Sequence, residues 1–410
     1  MATDVRANQV QNPRVYIDYL QYFHLKGIGG TSNDSDLKNP FSGYARIGNR
    51  AGSSQWSVIG LKPNRGGLYS LTDENNPWNN YWVYDFPMDL EDMFKFDDSE
   101  TISTGNCWFG LFGHDLYSAR QSNYQNGHNF NKVDLIRKSN NEHLYFTEIA
   151  NVDSEYSFHP EANGWSLAKV KSIDALSDSD YKGSIKVRFI KEQSNTNTGY
   201  DDTHIRLGAM GFGSIYDFPV SPDLNVNFSR TYDGIQSKRS QYNGSTITNV
   251  SYEGCPDWGV TDAWEITRAT SPHGISRNGR RAWDIKFSYI NGEDAYSDNE
   301  LVNFAIDKDN DGIITDSDLF LNTMPNTSDW SGLSGVWSNL WETKNESTLD
   351  MYKMFIHKTM GGKLPFIFQP DTTNNNADGF AICTIIQDSI SFEQVAFNAY
   401  SVSFKIEESW

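Results

Sequence analysis

Two stretches of the chain alternate hydrophobic and polar positions most cleanly. Over Arg280–Ile290 (RRAWDIKFSYI), Trp283, Ile285, Phe287 and Tyr289 fall on one face, and Asp284, Lys286 and Ser288 on the other. Tyr400–Ile406 repeats the pattern, with Tyr400, Val402, Phe404 and Ile406 opposed to Ser401, Ser403 and Lys405. A period of two predicts a strand with one face on a core and the other toward water or a neighbour. Arg14–Leu25 (RVYIDYLQYFHL) is apolar on both faces, which predicts a strand buried on two sides or paired at an interface. From Tyr44 to Gly199 short apolar runs are cut by Gly, Asn and Pro. The candidate strands there are Gln55–Leu61, Tyr81–Phe86, Cys107–Phe112, Leu144–Ile149, Ser166–Ile173 and Gly183–Lys191. Their spacing is that of a β-sandwich or jelly roll.

The stretch Gly208–Arg239 is a pivot between two patterns. It holds a strand (Ile205–Tyr216), a corner with Pro219 and Pro222, a second strand (Leu224–Ser229) and an Asp233-Gly234 turn. The prolines fix φ and remove donors, so the corner cannot continue a sheet. Beyond it, Asn243-Gly244 predicts a hairpin turn leading into Ser245–Tyr252, and Leu364–Gln369 and Phe380–Ile386 read as strands. One convincing helix is predicted over 347–360. Ser347 and Asp350 suit a capping box, Leu349, Tyr352, Phe355, Ile356 and Thr359 recur at helical spacing, and Gly361-Gly362 supplies the stop.

The expected fold is therefore all-β with one packed helix, a jelly-roll-like β-sandwich followed by a β-barrel or sandwich. The divisions are an N-terminal strand and loop (1–43), a sandwich (44–203), and a second β domain (204–410) with an insertion near 291–345.

Bulk properties narrow the function. The 410 residues suffice for two or three domains. Aromatics at 14% beside charged residues at 21% suit a turn-rich β protein with broad contact surfaces. A net charge of −19 opposes nucleic-acid binding, which needs a positive field. Arg230–Lys286 reverses the sign locally, with eight Lys/Arg against six Asp/Glu, as solvated surface or as a docking face for an acidic partner. Cys107, Cys255 and Cys383 are widely spaced and form no CxxC pair, which predicts buried free thiols and neither a disulfide framework nor a zinc site. With no apolar run near 18 residues and no signal-peptide pattern, a soluble, unexported protein without membrane insertion is expected.

One motif makes a specific chemical demand. Asp307, Asp309 and Asp311 stand at positions 1, 3 and 5 of D-x-D-x-D-G-x-I-x-x-x-D, with Gly312 at the sharp turn. Ile313 offers its carbonyl at position 7, Thr315 sits where a water-mediated ligand falls, and Asp318 closes the loop in place of the usual Glu. This is an EF-hand-type loop for a structural Ca²⁺, resembling those of dockerins, where Asp also occurs at the end. The alternative is an acidic, solvated loop. Trp56, Trp78, Trp82 and Trp108 are candidate glycan-contacting aromatics, since a pyranose face stacks on a ring, or else they fill a core. His114 and Asp115 beside Trp108 suit a sugar site or hydrogen-bonded structure. No HExxH, GxSxG or phosphate loop is present, so no catalytic residues are assigned and no enzyme is expected.

The segments GSIYDFPVSPDLNV (213–226), RTYDGIQSKR (230–239), Arg281–Tyr289, LPFIFQPD (364–371) and AYSVSFKIEESW (399–410) resemble structural tail or baseplate proteins of contractile-tailed bacteriophages. The terminal strand is similar to that of distal-tail (hub) proteins, and the region before the pivot looks like a galactose-binding-type jelly roll. The resemblance implies a tail-tube or hub-like sandwich flanked by one helix, completed by the N-terminal strand, with the calcium loop as an insertion. It also implies a non-enzymatic virion subunit, assembled in the host cytoplasm into a homo-oligomeric ring that binds other tail-tube or baseplate proteins. The alternative function is a carbohydrate-binding adhesin that recognises a host-surface glycan.

Overall fold

The computed structural model describes residues 10–26, 60–61, 67–70, 81–85, 107–114, 116, 130–137, 145–150, 152–154, 158–160, 164–171, 184–191, 204–232, 235–250, 257–258, 261–262, 280–295, 351–375 and 379–409. These residues are mostly strand, and the fold is all-β. Eleven strands form one antiparallel sheet. In chain order they are β1 (Arg14–Asp18), β2 (Cys107–His114), β3 (Tyr145–Ala150), β4 (Gly164–Lys171), β5 (Ala209–Asp217) and β6 (Asn227–Thr231). The remaining five are β7 (Arg280–Asn291), β8 (Phe366–Gln369), β9 (Ala381–Ile385), β10 (Phe392–Ala396) and β11 (Ala399–Glu408). Across the sheet the order is β6-β7-β11-β9-β8-β1-β5-β2-β4-β3, and β10 pairs with β11 off this path. The sheet is continuous across 203/204, through the pairing of β2 with β5. The N-terminal strand β1 lies between β5 and β8.

A second sheet of five strands runs in the order 81–85, 184–191, 130–137, 158–160, 152–154. It faces β2, with the Phe158 and Phe109 rings 5.1 Å apart edge to face, and Val133, Val152, Ile185 and Val187 join the same core. The pairing is sandwich-like, as the apolar faces of both sheets require burial.

The middle of the main sheet separates its side chains into two cores. Val15 and Ile17 of β1, Cys107, Phe109 and Leu111 of β2, and Phe366 and Phe368 of β8 enter one core. The residues between them, Tyr16, Trp108, Phe112 and Ile367, enter the other. A strand with a core on each side reads as a continuous apolar run, because both halves of the alternation are buried. Trp108 lies over a glycine pair, Gly110 opposite Gly211, and a Cβ on Gly211 would strike its ring. Gly213 serves the backbone instead, since a Cβ there would collide with the Ile17 carbonyl.

Toward β7 and β11 the alternation returns. Trp283, Ile285 and Phe287 are buried, as are Val402, Phe404 and Ile406, while Ser403 and Lys405 are exposed. Tyr289 departs from the expected face. The register shifts between Phe287 and Ile290, Tyr289 takes a left-handed φ of 61°, and it stands 74% exposed while Ile290 turns inward. A bulge adds one residue and reverses the phase beyond it.

Three other expectations change. Arg14–Leu25 is not one strand: it breaks at Asp18 into β1 and the helix α1 (Tyr19–Lys26). Asp18 Oδ1 accepts from the Leu20 amide at 3.1 Å as an N-cap, and the β-branched residues of β1 stop at Ile17. Second, the described part of the expected helix 347–360 is wider than an α-helix, a π-helix over Tyr352–His357. Its consecutive residues Phe355 and Ile356 both pack inward, and the Thr359 hydroxyl donates back to the Phe355 carbonyl at 2.7 Å. Met360, Gly361 and Gly362 then end it with positive φ. Phe355 seats this turn on the sheet, 5.0 Å from the ring of Phe366 and 5.7 Å from that of Phe404. Third, the pivot strand breaks at Gly208: His204–Leu207 pairs with Gly67–Ser70, and β5 follows separately.

Candidate functional site

The calcium-loop residues Asp307, Asp309, Asp311, Ile313, Thr315 and Asp318 lie outside the described residues, as do Trp56, Trp78, Asp115 and Cys255. Trp82 lies in the strand Tyr81–Asp85, opposite Val187. Trp108 is wholly buried, and its indole N–H donates to the Ile17 carbonyl at 3.1 Å, with Tyr16 edge-on at 5.9 Å. An enclosed ring cannot stack on a sugar, so Trp108 is a core residue and not a glycan contact. Trp165 is equally buried. Among the described residues no group of three or more His, Cys, Asp or Glu is placed to hold a metal. No described helix is long and apolar enough to cross a membrane.

The buried polar groups are tied to the fold. His114 Nε2 lies 3.0 Å from Ser166 Oγ, and its Nδ1 accepts from the Leu116 amide at 3.4 Å. An accepting Nδ1 makes the ring the neutral tautomer, with Nε2–H donating to serine. Tyr16 donates to Gln369 Oε1 at 2.7 Å, and the Gln369 amide donates to the Asn374 carbonyl at 3.0 Å. Arg281 and Glu408 form the strongest of these links, both nearly inaccessible. Arg281 Nε donates to Glu408 Oε1 at 2.8 Å, the Arg281 amide to Oε2 at 2.7 Å, and a guanidinium N–H to the Phe380 carbonyl at 2.6 Å. The guanidinium also lies 5.2 Å from the Trp283 ring centroid. One ion pair thus holds the end of β11, the start of β7 and the entry to β9. Burial pushes the thiols of Cys107 and Cys383 well above their ordinary range, which leaves both unreactive.

Asp18 differs from these. Its carboxyl is fully enclosed, Oδ1 serves the Leu20 amide, and Oδ2 has no hydrogen-bond partner among the described residues. Burial drives its pKa up to about 7 against the opposing pull of the Phe212, Gln21 and Leu20 amides.

What faces solvent is of another kind. The large exposed apolar residues gather on two strand-pair elements and their approaches. One is the hairpin Ile235–Arg239 with Thr246–Val250, an arm that pairs with no other described strand. Tyr242 is fully exposed at its tip, Ile247 is 65% exposed on its flank, and Leu224 and Tyr232 lie exposed on the chain leading to it. Its turn is held by Gly244 at φ 69° and by the Ser245 amide donating to Asn243 Oδ1 at 3.1 Å. The other is β10 and its turn into β11. Val395 is 44% exposed and Phe397 98%. β10 pairs on one side with β11, and no described strand pairs with its outer edge.

Comparison with known proteins finds no matching family model, no similar curated protein and no similar solved structure. Sequence reasoning placed the arm's Asn-Gly turn but did not single out β10. The phrase FEQVAFNAY carries a signal for it, since Asn398 before Ala399 suits the left-handed turn residue of a tight hairpin, which it is at φ 54°.

Proposed function

We propose that this protein is a non-enzymatic structural subunit of a phage tail or baseplate, a virion component that works by associating with copies of itself and with neighbouring tail proteins. The observation that carries the reading is the division of chemistry between inside and outside. The described deeply buried polar groups are largely committed to hydrogen bonds that hold strands together, whereas the described exposed apolar side chains cluster on elements whose outer edges no described strand pairs. Such edges recruit further strands, and apolar groups beside them supply the affinity. A subunit of this kind needs wide contact surfaces and a rigid frame, not a titratable cleft. The loop Asp307–Asp318 supplies part of that frame by binding one Ca²⁺ through its carboxylates and the Ile313 carbonyl. Fractionation of assembled particles tests the reading: the protein should co-purify with tails and sediment as a multimer when isolated. A strictly monomeric protein absent from tails would refute it.

A further inference from the structure

We propose that the hairpin arm (235–250) of one copy adds as extra strands to the free edge of β10 in the next copy, joining subunits head to tail. The proposal rests on the self-associating reading above and assigns the two surfaces that meet.

The arm cannot account for itself. Its described side chains are exposed on both faces, apart from the half-buried Ser240 at the turn. A lone two-stranded hairpin is marginal in water, and stable ones bury a face against something else. Within the described residues nothing covers Tyr242 or Ile247. The β10 edge has the complementary deficit: no described strand pairs with its outer side, and Val395 and Phe397 are open to solvent.

Charge identifies the occupant as a second copy. Residues 235–250 contain Lys238 and Arg239 and no acid, in a chain of net charge −19. Residues 386–397 contain Asp388 and Glu393 and no base. Asp388 already lies 3.7 Å from Lys363, so Glu393 is the exposed carboxylate left to meet the arm. Each surface also sets one charged residue close to one apolar residue. Lys238 and Ile247 are direct cross-strand partners and share one face of the arm. Glu393 and Val395 are two apart on β10, and Val395 stands at the register shift between Gln394 and Ala396. When the Thr246–Val250 strand lies along β10, Ile247 meets Val395 and Lys238 reaches toward Glu393.

The topology makes the contact intermolecular. The arm leaves β6 after Thr231, which is opposite Arg280 at the start of β7. β10 flanks the part of β11 that pairs with Phe287–Asn291, at the other end of β7. Each copy therefore carries one plug and one socket at opposite ends, a heterologous arrangement that closes into rings or runs on as filaments.

Sedimentation of the full-length protein over a range of concentrations tests this. Lys238→Glu and Glu393→Lys should each weaken association about tenfold or more, because each sets like charges against one another, and the double variant should recover it. Thermal melts of all three should match the parent, since both sites lie on the surface. Separately, an Ile247→Cys protein mixed with a Val395→Cys protein should form a disulfide-linked dimer that neither forms alone, nor the parent under the same oxidant. An associating parent whose charge variants associate equally well, or Ile247→Cys proteins that cross-link to themselves, would overturn the arm-to-edge contact and leave the structural-subunit reading standing. A parent that stays monomeric throughout would overturn both.

Discussion

β5 and β10 belong to one sheet, yet they follow opposite rules. β5 (AMGFGSIYD) is rich in residues that form strands poorly, and it is buried along all but its last position. β10 (FEQVA) is exposed along all but its first. Intrinsic preference would not rank them this way. The difference lies in their surroundings: β5 has paired neighbours on both edges and a core on each face, and its glycines exist to admit Trp108 and the backbone of β1. Among the described strands β10 has one neighbour, and of its residues Phe392 is partly covered. Strand propensity thus describes a half-buried pleated surface, and it weakens as a guide wherever a strand is either fully enclosed or left open.

The comparison can be broken most severely from the inside. Arg281→Ala takes the guanidinium away from the buried Glu408 carboxylate, so unfolding free energy should fall by about 3–5 kcal/mol. Denaturant titration checks this, and a loss below 1 kcal/mol would show that β7, β9 and β11 do not depend on the pair.

Asp18 offers a pH test of the same interior. Its pKa is raised from the ordinary 3.8 to about 7, so between those values the native state holds a proton that the unfolded chain has released. The stability Asp18 contributes is full below about 3.8 and is lost as pH rises through about 7. Asp18→Asn keeps an oxygen for the Leu20 amide and removes the titration, so it should stabilise the protein at pH 8 by roughly 2–4 kcal/mol, taking 1.36 kcal/mol per unit. At pH 4 the two proteins should melt almost alike. An equal difference at both pH values would mean that the carboxyl is not the titrating group.

The stretch between β7 and β8 tests whether an ion adds to the frame. Chelation by EDTA should lower the stability of a protein held at a hundredfold excess of Ca²⁺ over its dissociation constant by about 2.7 kcal/mol. Asp307→Ala should abolish that response in calorimetry. Unchanged melting on chelation would exclude the ion from the fold.

Gly211→Ala places a methyl group against the Trp108 ring and should cost about 1–3 kcal/mol by overpacking. The smallest effects belong to the outside. Val395→Ser and Phe397→Ser should shift stability by no more than about 0.5 kcal/mol, as surface substitutions do, while weakening self-association. A large loss of stability in either would show that β10 is covered within its own subunit.

Much of the frame was legible beforehand. Tyr81–Asp85, Cys107–His114, Tyr145–Ala150, Gly164–Lys171 and Ser184–Lys191 fall within a few residues of the expected strands. So do β7 and β11, because their alternation records which face is buried, and β8 and β9, which stand out as short apolar runs. The strands at 130–137 and 392–396 were not read, as their apolar positions break the period of two. The end of β1 was misread because tyrosines and leucines serve a strand and a helix equally well, and the capping role of Asp18 decides only once its amide partners are in place.

Composition, a period of two and ligand spacing are local properties, so the class of fold, the strands with one wet face and the acidic calcium-loop pattern can be read from the residues in order. The folded chain adds that Trp108 is enclosed, that Arg281 meets Glu408, that Tyr289 turns outward, and that no described strand covers the outer edges of the arm and β10. Each of these depends on which distant segment lies alongside, and no local pattern carries that information.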